Sequence, residues 1–202
     1  MKTTTYATKE DWFAGRLGKI TGSRLKDIVV KRGTGKKKGY YELIAERISL
    51  PSDGENPMDR GTRLESEAIE KFIAMTGHNV CTDLVIWSRD DNESIAISPD
   101  GFIGETMAVE AKCLSSASQV EAYLTNKIPD EYEMQMLQYF IVNDKLQTLY
   151  FCFYDPRIIV EKVAFFFLTV RREDVEDDIN TYLAYQRDTL LEIEQIVTNL
   201  SF

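Results

Sequence analysis

Histidine and cysteine are scarce in this sequence of 202 residues. It contains one histidine, His78, and three cysteines, Cys81, Cys113 and Cys152, which lie far apart. A histidine-rich zinc site and a zinc site with Cys-x-x-Cys spacing are therefore excluded, and a serine-type triad is disfavoured. An odd number of widely spaced cysteines also gives no obvious disulfide framework, which favours a reducing cytoplasm as the location.

Long apolar runs are absent as well. No stretch approaches the ~20 consecutive apolar residues that a membrane-spanning helix needs. The first six residues, Met-Lys-Thr-Thr-Thr-Tyr, lack the apolar segment of a secretion signal. We therefore expect no membrane segment. The length favours a single domain, residues 1–202, with enough chain to bury a hydrophobic core.

Basic residues are outnumbered, 24 against 33 acidic ones, so the net charge is −9. Nine of the basic residues nevertheless lie between Arg16 and Lys38 with only Asp27 among them, which gives that segment +8 and leaves −17 for the remainder. A basic N-terminal part on an acidic body suits contact with DNA phosphates on one surface. The alternative is a solvated basic loop, above all around Lys36, Lys37 and Lys38, which are candidate DNA contacts.

Hydrophobic periodicity predicts an α/β domain with a mixed central sheet. Its parts would be a basic helical region over about residues 9–49, a catalytic core over about 60–170 and a C-terminal helix over about 172–200. The predicted helices cover residues 9–17, 22–31, 39–49, 62–76, 116–124, 130–142 and 172–200. The predicted strands lie near residues 80–87, 94–98, 107–113, 149–154 and 163–170, and residues 50–60 are expected to form a loop.

Two short motifs carry the strongest chemical signal. The strand predicted over 107–113 alternates its faces, so that Glu110 and Lys112 point the same way. Upstream, the strand predicted over 94–98 ends in a Pro-Asp-Gly turn that contains Asp100. A hairpin between these strands would bring Asp100 to the end of the strand that carries Glu110.

Neighbouring carboxylates repel each other unless a cation lies between them. Mg²⁺ or Mn²⁺, hard ions that prefer oxygen ligands, would meet that need at Asp100 and Glu110. Lys112 would then orient or deprotonate an attacking water, or stabilise the developing charge on a phosphate. Each motif alone is also typical of an ordinary turn or of a solvated strand face. Together, in this order and spacing, they favour a metal-dependent nuclease.

Further segments in the same order carry a family resemblance. The chain resembles the lambda-exonuclease-like, or YqaJ-like, viral recombinase family of the PD-(D/E)xK nucleases over roughly residues 10–170. The resemblance implies a PD-(D/E)xK, restriction-endonuclease-like α/β core with a mixed central β-sheet flanked by helices. The segments are WFAGRLGKITGS (12–23), RGTRLE (60–65), SPDG (98–101) and QMLQY (135–139), combined with the Glu-x-Lys motif.

The resemblance also implies an activity. It is that of a Mg²⁺-dependent, processive 5′→3′ exonuclease that acts on double-stranded DNA ends. The products would be 5′-mononucleotides and a 3′ single-stranded overhang. The family usually forms a ring-shaped homotrimer, and a single-strand annealing protein would take up the overhang.

Several site residues follow from the resemblance. Glu65 would lie near the metal, although Thr62-x-x-Glu65 also has the form of a helix capping box. The Ala111 carbonyl, between the two functional side chains, would be a further ligand. Gln135 would lie near the active site and hold a water or the scissile phosphate, and the alternative is an ordinary polar helix residue.

Substrate contacts are implied in the same way. Arg16 and Ser23 would bind the 5′-phosphate, with a surface arginine as the alternative for Arg16. Met58 would act as a wedge between the last base pairs, or else pack beneath its loop. The family has an arginine after the Glu-x-Lys strand that is missing here, and Lys127 or Arg157 are possible substitutes.

Two rival functions remain open at this stage. One is another PD-(D/E)xK nuclease, either an endonuclease or a single-strand-specific enzyme, and Arg16 argues against it. The other is a DNA-binding recombination scaffold without catalysis, which the presence of Asp100, Glu110 and Lys112 together argues against.

Overall fold

The structure, a computed structural model, describes residues 8, 11, 35–50 and 57–200. Apart from residue 11, the helices predicted over residues 9–17 and 22–31 lie outside these residues, and so do Arg16 and Ser23. No helix within the described ranges is long and apolar enough to cross a membrane.

The described chain begins with helices, continues with four strands, and ends with helices and two further strands, an order of the kind that the hydrophobic pattern predicts. A short 3₁₀ helix, Arg172–Asp174, precedes the last α-helix. In chain order the elements are α1 (Lys38–Ile48), α2 (Pro57–Thr76), β1 (Trp87–Ser88), β2 (Ala96–Ile97), β3 (Gly101–Ile103), β4 (Met107–Lys112), α3 (Ser116–Thr125), α4 (Asp130–Val142), β5 (Thr148–Tyr154), α5 (Glu161–Ala164), β6 (Phe165–Arg171) and α6 (Glu176–Leu200).

The chain forms two compact units. The first comprises Met1–Gly61, Cys113–Lys127 and Phe153–Phe166, and the second comprises Thr62–Lys112, Ile128–Cys152 and Phe167–Phe202. The single domain expected from the length stays a prediction.

The first unit has its own apolar core, built mainly from α1 and α3. The α1 side chains Tyr41 and Ala45 pack with Val120 of α3 and with Ile158. Beside this core, the carboxylate of Asp155 is fully buried and is bound by side chains of the same unit. Its donors are the hydroxyl of Ser116, at 2.5 Å, and the guanidinium of Arg157, at 3.0 Å to each oxygen.

The second unit holds most of a four-stranded sheet with the strand order β3-β4-β5-β6. Helix α2 buries Leu64, Ala68 and Phe72 on one face, the i, i+4, i+8 spacing of an amphipathic helix. The ring of Phe72 packs edge-on against Phe167, with 5.2 Å between the ring centres. His78 stacks on the same ring of Phe72, at 5.9 Å between centres. The single histidine is therefore half-buried in an aromatic cluster.

The predicted boundary of α2 is confirmed at its C-terminal end and is wrong at its N-terminal end. The helix ends at Thr76 as predicted, because Gly77 adopts a left-handed backbone with φ of 73° and its N–H bonds to the carbonyl of Ile73. The predicted loop over 50–60 is wrong at its end, since α2 begins at Pro57. Proline suits the first helical position because it has no N–H to leave unpaired. Met58 therefore lies in the first turn of α2 and not in a loop.

The strands differ from the prediction in two places. The strand predicted near 80–87 is wrong over most of its length, because within it only Cys81 forms an isolated bridge and only Trp87 belongs to a two-residue strand. The segment between the strands predicted near 94–98 and 107–113, which would be the loop of the expected hairpin, contains β3. The predictions for β4, α3, α4, β5 and β6 are confirmed to within two residues.

Candidate active site

The site begins with the hairpin formed by β3 and β4, which is antiparallel with Gly101 opposite Val109. The residue before Gly101 therefore reaches the part of β4 that carries Glu110. The N–H of Ala111 donates to Oδ2 of Asp100 at 2.8 Å, which fixes this carboxylate beside the strand. The predicted pairing of residues 94–98 with β4 is wrong, because Ala96–Ile97 pairs with β1 and β3 takes its place.

Gly101 is needed for close packing at this point. A Cβ added there would lie 2.6 Å from Cγ1 of Val80, a distance that real side chains do not tolerate. The glycine of the Pro-Asp-Gly turn therefore lets Val80 lie directly against the strand that follows Asp100.

Glu110 lies on β4 and is 99% buried. Three side chains donate hydrogen bonds to its carboxylate. Oε1 accepts hydrogen bonds from Nζ of Lys112 and, at 2.6 Å, from Nε2 of Gln135. Oε2 accepts one from the hydroxyl of Tyr139. Burial, and then the nearby charge of Asp100, raise the pKa of Glu110 to about 7. The donors oppose this shift and hold a buried acid in one orientation.

Lys112 remains a cation in this setting. Burial works to lower its pKa, but the charge of Glu110 and the hydrogen bond to it leave the pKa above the ordinary lysine value. Its Nζ also lies 5.4 Å from the centre of the Tyr132 ring, within the range of a cation–π contact. The side chain can therefore donate hydrogen bonds and offer positive charge at neutral pH.

Asp100 and Glu65 add two more carboxyls. Burial raises the pKa of Asp100, while the Ala111 N–H and the charge of Lys112 act to lower it. Burial, and then the charge of Asp100, raise the pKa of Glu65. Glu65 lies eight residues after the first residue of α2. It therefore sits in the helix interior, so the capping-box alternative is wrong.

The donor chemistry fits a hard divalent ion. The carboxylates of Asp100 and Glu110 and the carbonyl of Ala111 are all oxygen donors, which Mg²⁺ and Mn²⁺ prefer. Among the described residues, however, no three acidic, histidine or cysteine side chains converge on one metal position. The fit thus rests on Asp100 and Glu110, and Glu65 interacts electrostatically with Asp100.

Tyr139 also belongs to this site, although the sequence predicted no role for it. It lies one helical turn after Gln135, and both side chains reach the Glu110 carboxylate from α4. Burial raises the pKa of its hydroxyl, so Tyr139 stays protonated and acts as a donor. The i, i+4 spacing of a glutamine and a tyrosine on one helix was the available signal.

A cleft of about 740 Å³ opens beside two of these carboxyls. Glu65 and Ile73 of α2 form part of its lining, and Asp100 forms another part. A further part of the wall comes from the segment 82–86, in which Leu84 and Ile86 expose most of their side chains.

The structure leaves the substrate-contact predictions open. Arg16 and Ser23 lie outside the described residues, as does the side chain of Met58. Lys36, Lys37 and Lys38 are exposed in the first unit, and Nζ of Lys36 lies 5.2 Å from the centre of the Tyr40 ring. Arg157, a possible substitute for the missing arginine, is bound to Asp155, and Lys127 is exposed at the end of the helix-α3 region.

Comparison with known proteins adds independent information. Residues 11–146 match the family model of the YqaJ-like viral recombinase domain. The fold is similar to that of LHK-Exo in complex with dAMP, with 30% sequence identity, a TM-score of 0.61, and coverage of 96% of this chain and 98% of that one. It is also similar to the alkaline exonuclease LHK-Exo from Laribacter hongkongensis, with 28% identity, a TM-score of 0.57, and coverage of 95% and 100%. No curated protein sequence gave a match.

Proposed function

Because the chain belongs to the YqaJ-like viral recombinase family, we propose that it is a Mg²⁺-dependent, processive 5′→3′ exonuclease for double-stranded DNA. The family resemblance and the PD-(D/E)xK α/β fold predicted from the motifs are confirmed. Family membership and the similarity to alkaline exonucleases support a phage-type exonuclease. One observation carries the finer proposal: the buried Glu110 carboxylate lies beside Asp100 and is held by Lys112 and by two side chains of α4.

In this proposal Asp100 and Glu110 hold one or more Mg²⁺ ions, with the carbonyl of Ala111 as a further ligand and Glu65 in support. Mn²⁺ would substitute, since it shares the preference for oxygen donors. A bound ion would lower the pKa of an attacking water and polarise the phosphate. Burial raises the pKa values of Glu65, Asp100 and Glu110, and the charge of Asp100 raises those of Glu65 and Glu110 further, so a cation bound among them would favour their ionised forms.

Lys112 and Gln135 act on the attacking water and on the phosphate in this proposal. Lys112 stays protonated, so it donates a hydrogen bond to the attacking water and offsets charge that develops on the phosphate. This assignment favours orientation and charge stabilisation over proton removal by Lys112. Gln135 holds the Glu110 carboxylate with one amide hydrogen and has a second for a water or a phosphate oxygen.

Substrate binding extends the proposal beyond the described site. Arg16 and Ser23 bind the 5′-phosphate, Met58 separates the terminal base pairs, and Lys36, Lys37 and Lys38 contact the DNA backbone. A homotrimeric ring would keep the enzyme bound to the DNA between successive cuts. A single-strand annealing protein would bind the 3′ overhang. The cytoplasm of a bacterial or phage-infected cell is where such DNA ends occur. The family resemblance and the basic N-terminal segment support these assignments.

A digest of linear duplex DNA tests the function. Duplexes with a phosphate or a hydroxyl at the 5′ end are incubated with Mg²⁺ or with EDTA, beside a closed circular plasmid. We expect mononucleotide release from the phosphorylated ends in Mg²⁺ alone and no cutting of the circle. Cutting of the circle would instead identify an endonuclease, and binding of ends without cutting would identify a scaffold.

A further inference from the structure

The cleft beside Asp100 has two chemically different parts. One part presents the carboxyls of Glu65 and Asp100. The other is apolar and is lined by Ile73 of α2 and by Leu84 and Ile86 of the segment 82–86. Both parts belong to the second compact unit and bound the same space of about 740 Å³. This volume lies in the range of about 300–1,000 Å³ that is typical of small-molecule sites.

Leu84 distinguishes this wall from ordinary surface. Its side chain is as exposed as in an extended peptide, and Ile86 is 73% exposed. Single exposed apolar side chains are common on proteins and need no explanation. Here two of them follow each other at i, i+2 and line a cleft that is also lined by a candidate catalytic carboxylate. An apolar surface continuous with a reactive site points to a substrate with an apolar part.

We propose that the apolar part of the cleft is a nucleobase subsite, in which Leu84 and Ile86 contact the base next to the phosphodiester held at Asp100. This inference rests on the proposed nuclease function. A nucleotide carries both chemistries in one molecule, a phosphate for the carboxylate-bound cation and a flat apolar base for the aliphatic wall. Aliphatic side chains offer no hydrogen-bond pattern, so the subsite would accept all four bases.

Charge favours the base over the backbone along this wall. Glu70, one helical turn before Ile73, and Asp83, next to Leu84 in the chain, also line the cleft, and both are exposed. Their carboxylates repel phosphates, so a DNA backbone would not run along this side of the cleft. The uncharged base can lie there, because it brings no phosphate near either carboxylate.

Leu84→Ala tests the subsite with little risk to folding, because the side chain is fully exposed. The substrates are 5′-phosphorylated duplexes with every base present, or with an abasic sugar on one or the other side of the scissile phosphate. Leu191→Ala, at an exposed leucine of α6, serves as the matched control. We expect Leu84→Ala to lower kcat/KM about tenfold on the intact duplex. On one of the two abasic duplexes it should cut within about twofold of the wild type, because the contact is already absent.

The outcomes separate this inference from the proposed function. Equal slowing of Leu84→Ala on all three duplexes, or no slowing on any, would overturn the base contact. A change in the mass of the particle in solution without a change in cutting would overturn it too, and would identify Leu84 as a subunit contact. A wild-type protein that cuts no duplex would refute the nuclease function, and the subsite with it. The effect should also persist on ends with frayed base pairs, where a strand-separating wedge is not needed.

Discussion

The hydroxyl of Tyr139 donates a hydrogen bond to Oε2 of Glu110, and both side chains are almost completely buried. The two residues are 29 positions apart in the chain, on α4 and β4. Gln135, one turn earlier on α4, binds the other oxygen of the same carboxylate. Helix α4 therefore positions the glutamate that is proposed to hold the metal.

Tyr139→Phe removes this donor while keeping the ring. The hydrogen bond from Tyr139 lowers the pKa of Glu110, so its loss should raise that pKa further. We expect the acid limb of the kcat/KM profile to move up by about one pH unit and the rate at pH 7 to fall about fivefold. Tyr150→Phe is the matched control, since its hydroxyl contacts the sulfur of Met107 at 3.9 Å. A slower enzyme with an unmoved acid limb would mean that Tyr139 acts through packing alone.

Asp100 and Lys112 should separate metal binding from chemistry. Lys112→Ala removes the cation but no proposed ligand, so it should lose at least about a hundredfold in kcat and keep its thermal stabilisation by Mg²⁺. Asp100→Ala should lose both cutting and stabilisation. Thermal unfolding with and without Mg²⁺, measured beside the cutting rate, distinguishes these results. Near-normal turnover by Lys112→Ala would contradict the assigned role.

Stability in EDTA should depend on pH through Glu110. Its pKa rises from an ordinary value of 4.5 to about 7 on folding, so the folded protein binds more protons than the unfolded chain between these values. The stability contribution of the protonated acid is therefore fully present below about pH 4.5 and is lost as the pH rises towards 7. The loss would be on the order of 3 kcal/mol.

Urea unfolding at several pH values in EDTA measures this loss. The raised pKa values of Glu65 and Asp100 act in the same direction. The lowered pKa of Asp155 acts below its ordinary value of 3.8 and does not enter this window. In Glu110→Gln the fall in stability should be smaller, because the titrating group is gone. A wild-type protein that gains stability from pH 5 to 7 in EDTA would contradict the buried, protonated state of Glu110.

Arg172 should matter for stability because its guanidinium binds backbone carbonyl oxygens at and just beyond the C-terminal end of α4. Its guanidinium donates to the carbonyl oxygens of Leu146 at 2.8 Å, Phe140 at 2.6 Å and Asn143 at 2.8 Å. Arg172→Ala leaves these carbonyls without that partner and should lower the free energy of unfolding by about 2–3 kcal/mol. The neighbouring Arg171→Ala, at an exposed position, should change it by less than about 0.5 kcal/mol. Equal effects of the two changes would exclude the capping role.

The parts of the fold that the sequence predicts are those with a long periodic signal. Strand β4 spans six residues, and α2 repeats its apolar face until Gly77 ends it. Strands β1 and β3 have two and three residues, too few for any alternation to be recognised. The apolar run around Leu84 resembles a strand in composition, but in the structure it forms the wall of a cleft.

The candidate site was predictable where its residues are neighbours in sequence. Glu110 and Lys112 are two positions apart on one strand, and Asp100 follows from a turn nearby. The hydrogen bond from Tyr139 to Glu110 depends on how α4 packs on β4. No local sequence pattern encodes that packing. The same holds for Arg172, whose three acceptors lie 26 to 32 positions away.

The release of nucleotides from a labelled end tests the central claim most directly. A linear duplex carries a different label at the 5′ end and at the 3′ end of the same strand, and the order in which the labels are released is followed in Mg²⁺. The proposed function predicts that the 5′ label is released as a mononucleotide before any 3′ label, and that neither label is released in EDTA or with Asp100→Ala. Release of the 3′ label first, or equal release by Asp100→Ala, would contradict it.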